Sequence, residues 1–217
     1  SLRIMEELDL LKKAWKKEEN SFEQVSEAAI YSMLHKKSSS IVKWILIISL
    51  IEFIFWNFMT FGLGDAKYEA KLHAYGIDKM MTALNVINYV VLLVFIYVFY
   101  KNYRTISTTD STHKLMKSIL RTRRTVQNYI WYNLGVVTVS IIVSIVMLFY
   151  HNPKMIGMLE KADSEGHRFF FLSACTVISI LFILLIIGIF WLFYKVLYGI
   201  LLKKLFMNYK ELEKIEL

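Results

Sequence analysis

The sequence predicts an all-α protein, a four-transmembrane-helix bundle with helical extensions on the cytoplasmic side. Of its 217 residues, 56% are hydrophobic, which is too high a share for an ordinary soluble domain of this length. Pro153 is the only proline, as expected when long helices are joined by few connectors. Four apolar stretches approach or exceed the ~20 residues that a helix needs to cross a bilayer.

These four predicted spans divide the chain into its parts. They are residues 41–63, 83–100, 129–150 and 169–193, and they define a membrane domain over residues 41–202. An amphipathic segment, residues 1–40, precedes this domain, and a C-terminal helix, residues 203–217, follows it. Because no proline or glycine separates His113 from Gly135, the third span is expected to be part of one continuous helix of ~39 residues, longer than the membrane is thick.

The distribution of Lys and Arg predicts the orientation. Residues 1–43, 101–128 and 195–217 contain eight, seven and five of these residues, whereas residues 62–82 and 151–168 contain three each. Cytoplasmic flanks carry the excess of basic residues, so both termini and the basic loop 101–128 are expected in the cytoplasm. The net charge of +8 follows from this topology and does not indicate a nucleic-acid partner.

Two basic or amphipathic segments are candidate contact surfaces. The pattern of residues 5–37 predicts a helix with a narrow apolar stripe. The stripe either packs against the protein itself or against lipid, or it binds a protein partner. The basic part of the third helix is expected to contact anionic lipid headgroups. The stripe consists of Leu8, Leu11, Trp15, Phe22 and Val25, and the basic residues are Lys114, Lys117, Arg121, Arg123 and Arg124.

Glu52 is an ionisable residue in the middle of the first apolar stretch. Such a group is costly inside a bilayer unless it finds partners in the bundle interior. Asn88, Tyr89, Ser144 and Thr176 are expected at comparable depth on the other helices, and with Glu52 they form the predicted intramembrane polar site. Glu52 serves there either as a hydrogen-bonding group between helices or as the binding site of a proton or cation.

The sequence gives little support to an enzyme. None of the five histidines lies within a predicted span, and phosphate-binding loops, nucleophile elbows and zinc-protease motifs are absent. No catalytic residue and no cofactor are therefore predicted. His73, His151 and His167 in the two outer loops are a candidate metal site.

The central segment KNYRTISTTDSTHKLMKSILRTRRTVQNYI, with the N-terminal EELDLLKKAWKKEE, resembles a family of four-span membrane proteins from Flavobacteria and other Bacteroidota. The resemblance covers the whole chain and implies a bacterial inner (plasma) membrane protein. Some members are labelled carotene monooxygenase, which implies a histidine-ligated iron. Their genes are often near those of extracytoplasmic-function sigma factors, which implies that the cytoplasmic helices bind a sigma factor.

Two functional hypotheses follow. The first is a regulatory or scaffolding role, in which residues 5–37 and 110–128 bind a cytoplasmic protein partner or each other. The second is a channel or a proton- or cation-linked transporter built around Glu52. Because four spans of one protomer rarely enclose a pathway, the second hypothesis requires a homo-oligomer for a pore. Membrane lipids are expected partners in both.

Overall fold

The computed structural model describes residues 26–62 and 78–216, and this part of the chain forms six α-helices. A π-helical turn, Lys195–Gly199, links the last two helices without a break. No strand occurs in the described ranges, so the predicted all-α fold class is confirmed. The helices are α1 (Glu27–Gly62), α2 (Asp78–Ser107), α3 (Thr112–His151), α4 (Pro153–Ser164), α5 (Arg168–Tyr194) and α6 (Ile200–Glu216).

Four helical segments are long and apolar enough to cross a membrane. They lie in α1, in α2, in α3 and in the continuous rod of α5, the π turn and α6. Large apolar side chains along these segments are exposed, as with Phe58 at 68% and Ile178 at 65%. Such side chains are stable when they face lipid. The chain is therefore a multi-pass membrane protein.

The helices are longer than the spans they contain. α3 has 40 residues, so the predicted continuous third helix is confirmed. α1 runs without a break from Glu27 to Gly62, so no boundary separates the described end of segment 1–40 from the first span. Most of the predicted loop 101–128 is helix, and residues 108–111 alone connect α2 to α3. The stripe residues Leu8 to Val25 lie outside the described residues.

The tightest packing lies at one end of the bundle, which we call the basic end. It comprises α1 up to Lys43, the α2–α3 connection, and α6, and the opposite end, which carries α4, is called the α4 end. The apolar face of α3 at the basic end is covered by α1, α2 and α6. This apolar face of α3 therefore packs against other helices of the same chain. Its buried cluster consists of Leu34, Val42, Ile106, Leu115, Ile119, Leu205 and Leu212.

Side-chain hydrogen bonds also fasten α1 to its neighbours at the basic end. The hydroxyl of Tyr31 donates to the carbonyl of Thr109 at 2.9 Å, and Nε2 of His35 lies 2.7 Å from the carbonyl oxygen of Ile106. Between α6 and α1, Nδ2 of Asn208 donates to Oγ of Ser38 at 3.0 Å, with both residues buried. Buried polar groups are costly when they lack such partners.

The buried Asn208–Ser38 hydrogen bond leads to a stability prediction. Ser38→Val removes the acceptor and leaves a buried amide without it, so we expect the free energy of unfolding to fall by about 1–3 kcal/mol. Ser40→Val changes an exposed residue of the same helix in the same way, and we expect less than about 0.5 kcal/mol. Chemical denaturation in mixed micelles measures both. Equal losses in the two variants would show that the hydrogen bond contributes nothing.

The segment predicted as the second outer loop, residues 151–168, contains the short helix α4. Asn152 caps this helix, because its side chain accepts hydrogen bonds from the backbone N–H groups of Lys154 and Met155, and Pro153 occupies the first helical position. Gly166 follows the helix with φ of 74°, a left-handed conformation that glycine adopts readily. α4 thus returns the chain directly from α3 to α5.

Candidate intramembrane site at Glu52

Glu52 is 6% exposed, and its carboxyl group lies between α1, α3 and the junction of α5 with the π turn. Three phenols donate to it. The hydroxyl of Tyr194 is 2.6 Å from Oε1, and those of Tyr129 and Tyr198 are each 3.0 Å from Oε2. The indole of Trp56 is a further hydrogen-bonding partner. We call these five residues the Glu52 cluster.

The four donor groups of the Glu52 cluster match in number the hydrogen bonds that an ionised carboxylate can accept. A carboxylate offers about four lone-pair positions, and phenol and indole groups both donate hydrogen bonds. Lys195 follows Tyr194 in the chain, but its side chain is exposed. Its Nζ lies over the ring of Trp191, 4.6 Å from the ring centroid. The carboxyl group is therefore surrounded by neutral donors.

The π turn positions two of these three phenol donors. Tyr194 is the last residue of α5 and Tyr198 belongs to the turn, and their rings stack with centroids 6.1 Å apart. The ring of Tyr129 meets both edge-on, at 6.4 and 5.9 Å. Local π-helical turns inside α-helices are rare and occur frequently at functional sites. Here the turn accompanies two hydroxyls that reach different oxygens of one carboxyl group.

Glu52 contacts the ends, and not the middles, of the predicted third and fourth spans. Tyr129 is the first residue of the predicted third span, and Tyr194 follows the last residue of the fourth. The middles of those spans lie roughly ten and thirteen residues away, which is about 15 and 20 Å along each helix. Trp131 and Trp191, close to these tyrosines in the chain, are 70% and 47% exposed. Exposed Trp and Tyr are typical of the membrane–water interface, so Glu52 lies toward the basic end.

This offset separates two predicted residues from the site. The hydroxyls of Ser144 and Thr176 each donate to a carbonyl of their own helix, Ser140 and Leu172, at 2.8 Å. Both side chains are exposed, and neither lines the cavity described below. Ser144 and Thr176 lie inside the predicted third and fourth spans, whereas Glu52 contacts residues at the ends of those spans. The helices are displaced relative to one another along the bundle axis. Matching residues by their position within each predicted span does not account for this displacement.

A cavity of about 210 Å³ starts at Glu52 and extends toward the α4 end, and we call it the Glu52 cavity. On α3 its lining reaches from Tyr129 to Val137, about 12 Å along the helix. The predicted residues Asn88 and Tyr89 are brought together with Glu52 in this lining. Besides the members of the Glu52 cluster other than Tyr198, the lining contains the amides Asn57, Asn85, Asn88 and Asn133 and the aromatic residues Phe53, Tyr89 and Phe190.

The amides of the Glu52 cavity are partly engaged. Nδ2 of Asn57 donates to the carbonyl of Phe53 at 2.7 Å, and Nδ2 of Asn133 donates to that of Tyr129 at 2.9 Å. These bonds leave both Oδ1 atoms as acceptors. Oδ1 of Asn88 accepts from the hydroxyl of Tyr132 at 2.9 Å. Sequence reasoning missed Asn57 and Asn133, although an asparagine within an apolar stretch is itself a signal of a polar interior site.

Toward the basic end the Glu52 cavity is closed. Ile45, Phe99, Val126 and Tyr198 are all 0% exposed and form a buried cluster just beyond Glu52. The ring of Phe99 packs edge-on against that of Tyr129, with centroids 5.4 Å apart. The cavity therefore extends in one direction only from the carboxyl group.

The candidate metal site is not assembled within the described ranges. His151 ends α3 and the exposed His167 precedes α5, while His73 lies outside the described residues. Among the residues that the structure describes, no group of three His, Cys, Asp or Glu is close enough to hold a metal ion.

The basic residues predicted to contact lipid lie on α3 near the basic end. Lys114, Lys117, Arg121 and Arg124 are exposed. Arg123 is partly buried, and its guanidinium carbon lies 4.5 Å from the centroid of the Phe206 ring, a cation–π contact between α3 and α6. Four of the five are thus accessible, while Arg123 also holds the bundle together.

A family model described as "Domain of unknown function (DUF8845)" matches residues 28–217, and the chain belongs to this family. No curated protein and no solved structure matches the chain.

Proposed function

We propose that this member of the DUF8845 family is a cation- or proton-linked membrane transporter in which Glu52 is the binding group. The observation that carries the proposal is a buried carboxyl group held by neutral donors at the closed end of a polar cavity. A buried charge normally has an ionic partner. Among the described residues that line the Glu52 cavity there is no Lys, Arg or His, so a cation in the cavity would complete the charge balance.

The closed end supports a transporter more than an open pore. A pathway through one protomer requires the cluster around Phe99 and Tyr198 to open, and the adjacent π turn is a natural place for such a change because π turns rearrange without breaking a helix. A channel instead requires a homo-oligomer, with the pathway between protomers. In both arrangements Glu52 binds the ion before release.

The test of the proposal is ion flux in liposomes. Purified protein is reconstituted into vesicles that contain a pH-sensitive dye, and inward K⁺ or Na⁺ gradients are applied. We expect proton or cation movement in the wild type and at least a roughly tenfold lower rate in Glu52→Gln, because glutamine keeps the shape and loses the charge. Ser144→Ala, on α3 outside the cavity, is the control and should retain the rate.

Two results would contradict this function. Vesicles that stay tight under every gradient would exclude transport of these ions. Unchanged flux in Glu52→Gln, with the variant eluting as the wild type does on size exclusion, would assign Glu52 a structural role between the helices. In that case the carboxyl group would serve only to hold α1, α3 and α5 together.

A second candidate function is the regulatory or scaffolding role at the basic end. Met33 on α1 and Met207 on α6 are 49% and 53% exposed there, and exposed methionines are common on adaptable protein-binding surfaces. The partner implied by the resemblance is a sigma factor. This candidate places the basic end in the cytoplasm of a bacterial inner membrane, as the distribution of Lys and Arg predicts. A pull-down from solubilised membranes that recovers no cytoplasmic protein would count against it.

A further inference from the structure

We infer that the Glu52 cavity binds a small primary organic ammonium ion, an inference that rests on the proposed function and names the class of its substrate. Three properties of the lining carry it: the charge at one end, the amide acceptors along the sides, and the aromatic rings between them. Each excludes a different class of alternative ligand.

The first property is charge. Within the part of the chain that the structure describes, Glu52 is the only Asp or Glu in the lining, and no basic side chain accompanies it. The donors from Tyr129, Tyr194 and Tyr198 are neutral, so a deprotonated Glu52 keeps its full negative charge. An anionic ligand is repelled by this end of the cavity, whereas a cation gains electrostatic energy in a region of low dielectric constant.

The second property is the arrangement of acceptors. The Nδ2 groups of Asn57 and Asn133 already donate to their own helices, so their Oδ1 atoms remain to accept hydrogen bonds. Asn85 is exposed and adds a third amide to the lining. A primary ammonium has three N–H donors. Asn57 and Asn133 thus offer acceptors for an ammonium, whereas Asn88, whose Oδ1 accepts from Tyr132, offers N–H donors.

The third property is the aromatic surface. The rings of Trp56 and Phe190 stack at 5.8 Å across α1 and α5, and those of Phe53 and Tyr89 meet edge-on at 6.3 Å across α1 and α2. Aromatic faces attract organic cations and also pack against their apolar parts. A bare metal ion would leave this surface without a function, because hard cations are bound by oxygen ligands.

The volume sets a minimum size for the ligand that fits. At ~30 Å³ for each water in the liquid, the cavity of about 210 Å³ has space for a molecule of at least roughly seven non-hydrogen atoms. Cyclohexylammonium has this size and is protonated at neutral pH. Cyclohexanol has the same size and shape without the charge, and trimethylcyclohexylammonium keeps the charge without N–H donors. Cyclohexanol tests the contribution of charge, and equally tight binding of the larger trimethyl compound would show that N–H donors are not required.

The experiment is titration calorimetry of the full chain in phosphatidylcholine nanodiscs with these three probes. We expect saturable binding of cyclohexylammonium, and binding of cyclohexanol that is weaker by roughly ten- to hundredfold, because hydrogen bonds to charged groups contribute that much. The trimethyl compound should also bind at least roughly tenfold more weakly. Glu52→Gln and Asn57→Leu should weaken binding of cyclohexylammonium, whereas Thr176→Ala, outside the cavity, should not.

The outcomes distinguish this inference from the proposed function. Equal affinity for cyclohexylammonium and cyclohexanol would overturn the inference, because the cavity would then select its ligand by shape and not by charge. Equal affinity for the trimethyl compound would overturn the assignment of a primary ammonium. Absence of binding together with Glu52-dependent flux of inorganic ions would overturn the inference and leave the transporter standing. If Glu52→Gln abolishes binding of cyclohexylammonium and the wild type moves neither protons, inorganic cations nor cyclohexylammonium across the vesicle membrane, the inference would be supported and the transporter function overturned.

Discussion

Replacing Tyr129, Tyr194 and Tyr198 together with phenylalanine is expected to lower the free energy of unfolding by about 3–5 kcal/mol. The substitutions keep the rings and remove three hydrogen bonds to a carboxyl group that is 6% exposed. A buried charge that loses its partners costs about this much. Denaturation in mixed micelles, followed by circular dichroism, measures the loss.

The matched control is the triple substitution of exposed tyrosines. Tyr97, Tyr100 and Tyr150 are 63%, 47% and 75% exposed, and their replacement by phenylalanine should change stability by less than about 1 kcal/mol. Adding Glu52→Leu to the first triple variant should restore most of the stability, because removal of both sides of a buried polar contact can be nearly neutral. A triple variant as stable as the wild type, or one that Glu52→Leu fails to rescue, would show that the tyrosines do not act through the carboxyl group.

Phe99→Ala should destabilise the bundle by about 3–5 kcal/mol and open the closed end of the Glu52 cavity. Phe99 is 0% exposed and packs against the rings of Tyr129 and Phe95. Truncation of such a side chain loses its contacts and leaves a void. The void would lie on the basic side of Glu52, so we also expect faster proton leak through reconstituted vesicles.

Tyr97→Ala provides the control for this prediction. Tyr97 lies on the same helix, two residues away, and is 63% exposed. Its truncation should cost less than about 1 kcal/mol and leave the leak unchanged. Denaturation midpoints and dye-loaded vesicles give the two readouts. A Phe99→Ala protein with the stability and the proton leak of the wild type would mean that Phe99 does not close the cavity at the basic end.

Much of the fold was predictable because it depends on local properties of the chain. Hydropathy and the length of each apolar stretch predicted four membrane helices, and the absence of glycine and proline before Gly135 predicted the 40-residue α3. The predicted C-terminal helix is found in α6, which continues α5 through the π turn. The π turn at Lys195–Gly199 was not expected, because its hydrogen-bond pattern depends on what the neighbouring helices place against it. α4 was missed although Asn152 and Pro153 form a recognisable helix start.

The candidate site was predictable in part. Glu52 stands out in any reading of the sequence, because an ionisable group within an apolar stretch requires an explanation. Asn88 and Tyr89 were found by matching depth, and the structure brings them into the cavity with Glu52. Tyr129, Tyr194 and Tyr198 were not found, since tyrosines near the ends of spans are ordinary members of an interfacial aromatic belt. Nothing local distinguishes the three that donate to a carboxyl group.

By itself the sequence determined which segments enter the membrane, because transfer of an apolar helix into lipid depends on its own composition. The tertiary structure decided how far each helix is displaced along the bundle axis. Sliding one apolar helix past another leaves its hydropathy unchanged, so side-chain packing and buried hydrogen bonds determine the displacement. This displacement brings Glu52 to Tyr129 and Tyr194 and leaves Ser144 and Thr176 bonded within their own helices.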